Sequence, residues 1–459
     1  MSDQRQNHQL VLAFAEESRS EAPRVSVEGT ESLAVKHAAE SPARIEPQME
    51  AVCEQSNCQQ ALARVKTNQG SAGIDGMTVE ELPAYLKQHW PTIREQLLSG
   101  TYKPQPVKRV EIPKPDGGMR KLGIPTVLDR FIQQAVMQVL QRIWDGTFSD
   151  SSYGFRPRRS AHQAVAKAQQ YIADGYGWVV DLDLEKFFDR VNHDRLMARL
   201  AQRVSDQRML KLIRAFLRAG VMEDGLVSPV DEGTPQGGPL SPLLSAIVLD
   251  ELDRELERRG HRFVRYADDS NIYVRSRRAG ERVMTSIAKF ITRKLKLKVN
   301  DEKSAVDRPG VRKFLGFSFT WQREPKRRLA PKAIARFKQR VRELTRRTRG
   351  VSLETMVQQL SRYLIGWRGY FAFCQTPSVL QSLEAWVRRR LRSVVWKQWR
   401  RGKVRFAELS KRGVGKDLAA QTAGSPHGPW RLSNSPVLAI ALPNAYFAAL
   451  GLPSLVGRA

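Results

Sequence analysis

The segment at 177–184, GWVVDLDL, most constrains what this chain can fold into. It reads as a β-strand. Val180, Leu182 and Leu184 fall on one face, and Val179, Asp181 and Asp183 on the other. Two acids on one face of an apolar strand break the rule that buried charge must be compensated, so that face needs a reason. A second segment, HRFVRYADDSNIYVRS at 261–276, has apolar residues on both sides of Asp268 and Asp269. It predicts a β-hairpin whose turn carries adjacent acids. Between the two lies the Gly/Pro loop GTPQGGPLSP at 233–242. If strand and hairpin are neighbours in one antiparallel sheet, their carboxylates share a surface. Like charges that close repel unless cations neutralise them. Mg²⁺, a hard oxygen-liking ion, suits carboxylate ligands. Two such ions about 4 Å apart activate a 3′-hydroxyl and stabilise a leaving pyrophosphate, which is nucleotidyl transfer. Singly, each acid has an ordinary explanation: Asp favours turns, and Asp181 and Asp183 could pair with arginines. The combination, in this order, carries the chemistry.

The charge points the same way. The 459 residues hold 76 Lys plus Arg and 47 Asp plus Glu, a net charge of +29, which calls for a polyanionic partner. Residues 323–416 alone carry 26 basic residues against five acids, interleaved with Trp367, Trp386, Trp396 and Trp399. That mixture suits phosphate contact with base stacking, although any single Trp is better read as core. Residues 1–50 are acidic, with nine acids against five bases, and read as a disordered tail. No apolar run reaches the ~18 residues of a membrane span, and the N-terminus lacks the basic region of a signal peptide. Three cysteines, Cys53, Cys58 and Cys374, exclude a disulfide framework and a four-cysteine zinc site. A cytoplasmic location, without membrane contact, is expected.

Periodicity fills in the rest. Residues 51–100 are helical with interruptions, with Thr78 and Glu81 at capping-box spacing. VKRVEI at 107–112 is a strand, followed by a turn, PKPDGG, at 113–118. Val127, Phe131, Ala135, Val139 and Ile143 mark a helix. Ser160 caps another at about 161–174. Helices follow at 192–200 and 205–219, and Ser241 and Pro242 open one in N-cap and N1 order. Residues 281–297 are helical, FLGFSFTW at 314–321 is a strand or hairpin, and a basic helical region runs from about 331 to 401. The last 40 residues are loop-rich with one helix.

These blocks, in series, resemble the group II intron-encoded reverse transcriptases, or maturases. The blocks are GIDGMTVEEL (73–82), VEIPKPDGGMRKLGIPTVLDRFIQQAV (110–136), SDSSYGFRPRRSAHQAV (149–165), VVDLDLEKFFDRVNHDRL (179–196), GTPQGGPLSPLL (233–244), FVRYADDSNIYV (263–274), LKLKVNDEKSAV (295–306) and FLGFSF (314–319). The resemblance covers roughly 55–459. It implies an α+β right-hand polymerase fold, with fingers and an antiparallel palm sheet at 51–320. A helical thumb, or maturase domain X, follows at 321–405, and a short basic DNA-binding-like segment at 406–459.

On that basis Asp183, Asp268 and Asp269 match the catalytic, metal-binding triad of a two-Mg²⁺ site. Asp181 is the runner-up, disfavoured because the family's bulky gate residue lies five after the ligand; from Asp183 that residue is Phe188. Phe188 is expected to press on a ribose 2′-hydroxyl and select dNTPs, with core packing beside Phe187 as its ordinary role. Lys114 and Arg120 match cations that contact the incoming nucleotide's phosphates. Gln236 and Gly237 match the loop that packs on template and nucleotide. Lys303 matches a late palm lysine, a weak candidate for protonating pyrophosphate. Arg156 is a candidate contact for template or intron RNA, with a structural salt bridge as the equal alternative. Leu184 completes the candidate set.

LSRYLIGWRGYFAF and WVRRRLRSVVWKQWRR resemble the maturase thumb, which implies intron RNA binding. Arg388, Arg389, Arg390 and Arg392 spread around an apolar stripe of Leu383, Trp386 and Leu391 and are the expected RNA contacts. After residue 404 there is one histidine, His427, and no cysteine, so the HNH-type endonuclease of many relatives is not expected. The leading expectation is an RNA-directed DNA polymerase that assists splicing of its intron. It would work as a ribonucleoprotein with intron RNA, RNA template with DNA primer, target DNA and dNTPs. The rivals are an RNA-binding splicing cofactor with an unused polymerase site, and a domesticated or defence-type reverse transcriptase.

Overall fold

The structure, a computed structural model, describes residues 48–113, 118–223, 226–228, 232–234 and 237–456. Lys114 and Gln236 lie outside the described residues, as does the acidic segment up to residue 47. Residues 48–50, assigned above to the tail, instead begin a short helix, Gln48–Val52, with Met49 fully buried.

The strands, in chain order, are β1 (Val107–Pro113), β2 (Met119–Ile124), β3 (Trp178–Leu182), β4 (Val221–Glu223), β5 (Leu226–Ser228), β6 (Arg262–Tyr266), β7 (Asp269–Val274), β8 (Ala305–Asp307), β9 (Phe317–Phe319) and β10 (Arg327–Leu329). The central sheet has the order β6-β7-β3-β8 and is antiparallel throughout. A second sheet, β2-β1-β4-β5, projects the β1–β2 hairpin, and β9 and β10 form a third pair.

The period-two pattern of β3 sends its side chains into two different cores. Val180 and Leu182 join Phe263 and Ile272 in a core with the helices Gln55–Asn68, Leu82–Leu98, Val127–Trp144 and Ser241–Arg258. On the opposite face Val179, Val264 and Tyr273 pack with Phe314, Phe317, Phe319 and the helices Leu353–Phe371 and Pro377–Gln398. That face is therefore apolar at the Val179 end and acidic at the Asp181 end. The β9–β10 pair spans residue 320.

Several helix starts follow the expected side-chain chemistry. Ser160 and Gln163 form a complete capping box at Ala161–Ala173. Ser160→Ala is expected to lower stability by about 1 kcal/mol, read by urea unfolding, since the Gln163 N–H loses the hydroxyl that accepts from it. Two assignments shift. Glu81 accepts from the Thr78 N–H at 2.7 Å and hydroxyl at 3.0 Å, but the helix begins at Leu82. Helix Ser241–Arg258 has Leu240 at its cap, one residue earlier than the Ser241 expected.

The C-terminal expectation needs a larger correction. Residues 416–449 hold four short helices, Lys416–Ala423, Pro429–Leu432, Pro436–Ala441 and Asn444–Ala449, rather than one. Helices this short have no standing of their own. They persist by burying Ala419, Leu432, Leu438 and Phe447 in the core that contains Trp396 and Trp399. No helix among the described residues is long and apolar enough to cross a membrane.

Candidate active site

The sheet register brings the flagged acids together. Leu182 pairs with Ser270 and Asp181 with Asn271, so the residue after β3, Asp183, stands across from Asp269 at the start of β7. Tyr266 pairs with Asp269, which leaves Ala267 and Asp268 as the two turn residues, Ala267 at φ 57° in the left-handed region. Asp183 is held by the returning chain at 298–304. The Asn300 N–H donates to the Asp183 carbonyl at 2.8 Å, and the Ser304 hydroxyl accepts from the Asp183 N–H at 3.0 Å. Leu184, buried, bridges to Val299 in the same strap. It packs into the core and acts as a clamp on the strand end.

The electrostatics are those of crowded like charges. Asp269 is exposed as a residue, yet the protein packed around its carboxyl withholds much of the solvent from it. That enclosure first, then Asp181, Asp268 and Asp183, pushes its carboxyl up to about 7, with Lys313 opposing the rise. Asp268 is also raised, by burial and then by Asp183, against Arg120 and Arg265. Arg120, on β2, is thus within electrostatic reach of the turn. Asp181 is raised by burial but compensated: Arg312 donates to its Oδ2 from Nη2 at 2.6 Å and Nε at 2.9 Å. With its amide turned to face the carboxylate, Asn271 donates to Asp181 Oδ1 at 3.1 Å. The Asp183 carboxylate meets Lys303, whose Nζ is 3.6 Å from Oδ2 and mostly exposed.

A donor set made of carboxylate oxygens, with more negative charge than its neighbours cancel, has the chemistry of a hard divalent cation site. Among the described residues, no three His, Cys, Asp or Glu side chains already form a ligand cluster. The fit is therefore one of donor type and charge. Asp183, Asp268 and Asp269 would hold the ion, because Asp181 is committed to Arg312.

The crowding also sets a trade between stability and activity. In metal-free protein Asp269 titrates near 7, above an ordinary carboxylate. A raised acid pKa means that stability from this group is complete at low pH and declines as pH rises from about 4 through 7. Asp269→Asn removes that decline. In EDTA its melting temperature should equal or exceed wild type at pH 8, with the difference shrinking toward pH 4. Solvent access to the carboxylate keeps the gain modest. A lower melting temperature at pH 8 would show that the carboxylate serves the fold.

The loop after β5 closes the other side. A Cβ on Gly237 (φ 132°) would lie 2.6 Å from the Gly123 carbonyl oxygen, so the loop backbone touches the end of β2 and only glycine fits. Phe188 is half-buried, edge-on to Phe187 at 5.2 Å, and its carbonyl accepts from the Thr234 N–H at 2.6 Å.

Two expectations change. Arg156 is spent on the fold: Nε donates to Asp145 Oδ1 at 2.9 Å, and the other nitrogens to the carbonyls of Ser149, Ser152 and Asp145. Of the two roles considered, the structural one describes it. Arg388, Arg389, Arg390 and Arg392 are likewise engaged internally. Arg388 pairs with Glu384, Arg389 stacks 4.1 Å over Trp430, Arg390 donates to Thr345, and Arg392 donates to the Leu442 carbonyl at 3.0 Å. A helix surrounded by other segments uses its arginines to fasten them. The open cations lie nearby: Arg342, Arg346 and Arg347 are exposed, and Arg342 and Arg347 add to burial in lowering the Arg390 guanidinium.

Sequence reading missed Arg312, Lys313 and Ser304, which act on the acids from a distant segment. It also missed Arg265 on β6, fully buried and paired with Asp253. Its signal was present: a charge within an apolar strand, the same anomaly that flagged Asp181 and Asp183.

Comparison with known proteins agrees with this layout. A family model for reverse transcriptase (RNA-dependent DNA polymerase) matches residues 112–319, and one for the group II intron maturase-specific domain matches residues 334–413. "Protein YkfC" of Escherichia coli (strain K12) is 41% identical over 191 residues, covering 41% of this chain and 50% of the relative. "Group II intron-encoded protein LtrA" of Lactococcus lactis subsp. cremoris is 38% identical over 195 residues, covering 42% and 32%. The "Putative COX1/OXI3 intron 1 protein" of Saccharomyces cerevisiae is 32% identical over 198 residues, covering 43% and 24%. The chain thus spans half or less of the length of these relatives.

Proposed function

We propose that this chain is a group II intron-encoded reverse transcriptase carrying a maturase domain, and that it extends a DNA primer on an RNA template and also binds folded intron RNA to assist its splicing; the two family matches and the likeness to an intron-encoded protein support this reading. The observation that carries the reading is that Asp183, Asp268 and Asp269 come to the same end of the neighbouring interior strands β3 and β7, where burial and like charge raise the Asp268 and Asp269 carboxyls and Arg120 is within electrostatic reach.

Reverse transcriptases generally use divalent metals, and Mg²⁺ is the ion proposed here. When bound, it would activate the primer 3′-hydroxyl and stabilise the departing pyrophosphate. The chain's own residues do the rest. Arg120 meets triphosphate oxygens, and Lys114 is proposed to join it. The Gly237 backbone lies against the end of β2, and Gln236 is proposed to contact template and nucleotide. Lys303 balances Asp183 until nucleotide and metal arrive, and is placed to meet pyrophosphate. Phe188 lies against the sugar. Phe188→Ala is expected to raise rNTP incorporation about tenfold or more relative to dNTP, measured by competitive primer extension, because a steric block is lost. Target DNA is a further proposed partner, supporting intron mobility by target-primed reverse transcription.

The test is primer extension by the purified chain on an RNA template with dNTPs and Mg²⁺. DNA synthesis that stops with EDTA supports the reading. Binding of structured RNA without any synthesis would replace it with that of a splicing cofactor.

A further inference from the structure

The turn carrying Asp268 and Asp269 is held from beneath by a buried ion pair. Arg265 is 1% exposed and Asp253, on helix Ser241–Arg258, is 0% exposed. Arg265 Nε donates to Asp253 Oδ1 at 2.7 Å and Nη2 to Oδ2 at 2.5 Å, a two-point contact that fixes the guanidinium plane. Nη2 also donates to Ser152 Oγ at 2.8 Å. Nη1 is then aimed at the Ala267 carbonyl, to which it donates at 2.8 Å. Ala267 is the left-handed turn residue immediately before Asp268.

The backbone is fastened at the same place. The Arg265 N–H donates to the Ser151 carbonyl and the Tyr153 N–H to the Arg265 carbonyl, each at 2.9 Å. A Cβ on Gly154 would lie 2.3 Å from the Ala267 nitrogen, so the segment at 151–154 presses on the turn. An alanine in a left-handed conformation persists only where its surroundings hold it there. Core stability alone does not call for a buried ion pair, because apolar residues of similar volume often serve as well. Lysine would supply the charge without the plane.

We propose that Asp253 and Arg265, assisted by Ser152, are positioning residues that hold the Ala267 carbonyl and thereby set the direction in which the Asp268 and Asp269 carboxylates leave the turn. This rests on the polymerase reading above.

The test uses the full chain with Asp253→Leu/Arg265→Met, which removes the tether while leaving no unpaired buried charge. The melting temperature should stay within a few degrees of wild type. Turnover should fall about 100-fold with KM for dNTP nearly unchanged, as expected for misplaced reacting groups. Mn²⁺ affinity, followed by the EPR signal of the free ion, should weaken about fivefold or more, because the ligands lose their common orientation. Wild-type turnover and Mn²⁺ affinity in a folded double variant would overturn the proposal. If that variant does not fold, Arg265→Lys decides on the same readouts: reduced turnover and Mn²⁺ affinity support the tether, and unchanged values overturn it. If wild type itself makes no DNA, the polymerase reading fails, and the Mn²⁺ comparison still tests the tether.

Discussion

Asp268→Ala/Asp269→Ala is expected to abolish DNA synthesis, with turnover falling by about 10⁴-fold or more, because transition-state charge loses its principal stabilisation. The measurement is single-turnover primer extension beside wild type. RNA affinity should be unchanged, since the substitutions remove two carboxylates and no cation that could meet a phosphate. Synthesis at even a tenth of the wild-type rate would remove these residues from the chemistry.

The second large effect concerns RNA. Arg342→Ala/Arg346→Ala/Arg347→Ala is expected to weaken binding of structured intron RNA by about 10- to 100-fold near physiological salt. The slope of log affinity against log salt should fall by about 2–3, since each lost phosphate contact removes about 0.7–0.9. Stability should barely move, because these side chains are exposed. Arg390→Ala should behave in the opposite way. It loses donors to Thr345 Oγ1 at 2.7 Å and to the Thr345 carbonyl, so it should lower stability by about 1–3 kcal/mol with a smaller change in salt slope. Equal salt slopes for the triple variant and wild type would move the RNA surface elsewhere.

Local pattern sufficed for three of the four central strands, while β8 (Ala305–Asp307) was not predicted. Alternation in GWVVDLDL and the apolar flanks of Asp268-Asp269 placed β3, β6, β7 and the turn, because strand period and hairpin geometry are short-range properties. The Ser160 cap was legible for the same reason: its partner, Gln163, is three residues away. The C-terminal helices were not legible, being too short for periodicity and dependent on the surface of Trp396 and Trp399.

The sequence by itself determined the acid-bearing strand and hairpin of the central sheet, the excess of positive charge and the family resemblance. Tertiary structure decided which charges are spent. Arg312, 131 residues along the chain, neutralises Asp181 and leaves Asp183 to Lys303. Arg388, Arg389, Arg390 and Arg392 fasten neighbouring segments, while Arg342, Arg346 and Arg347 stay open to solvent. The physical reason is that a charge acts through the partner it meets, and those partners come from segments that only the folded chain brings together.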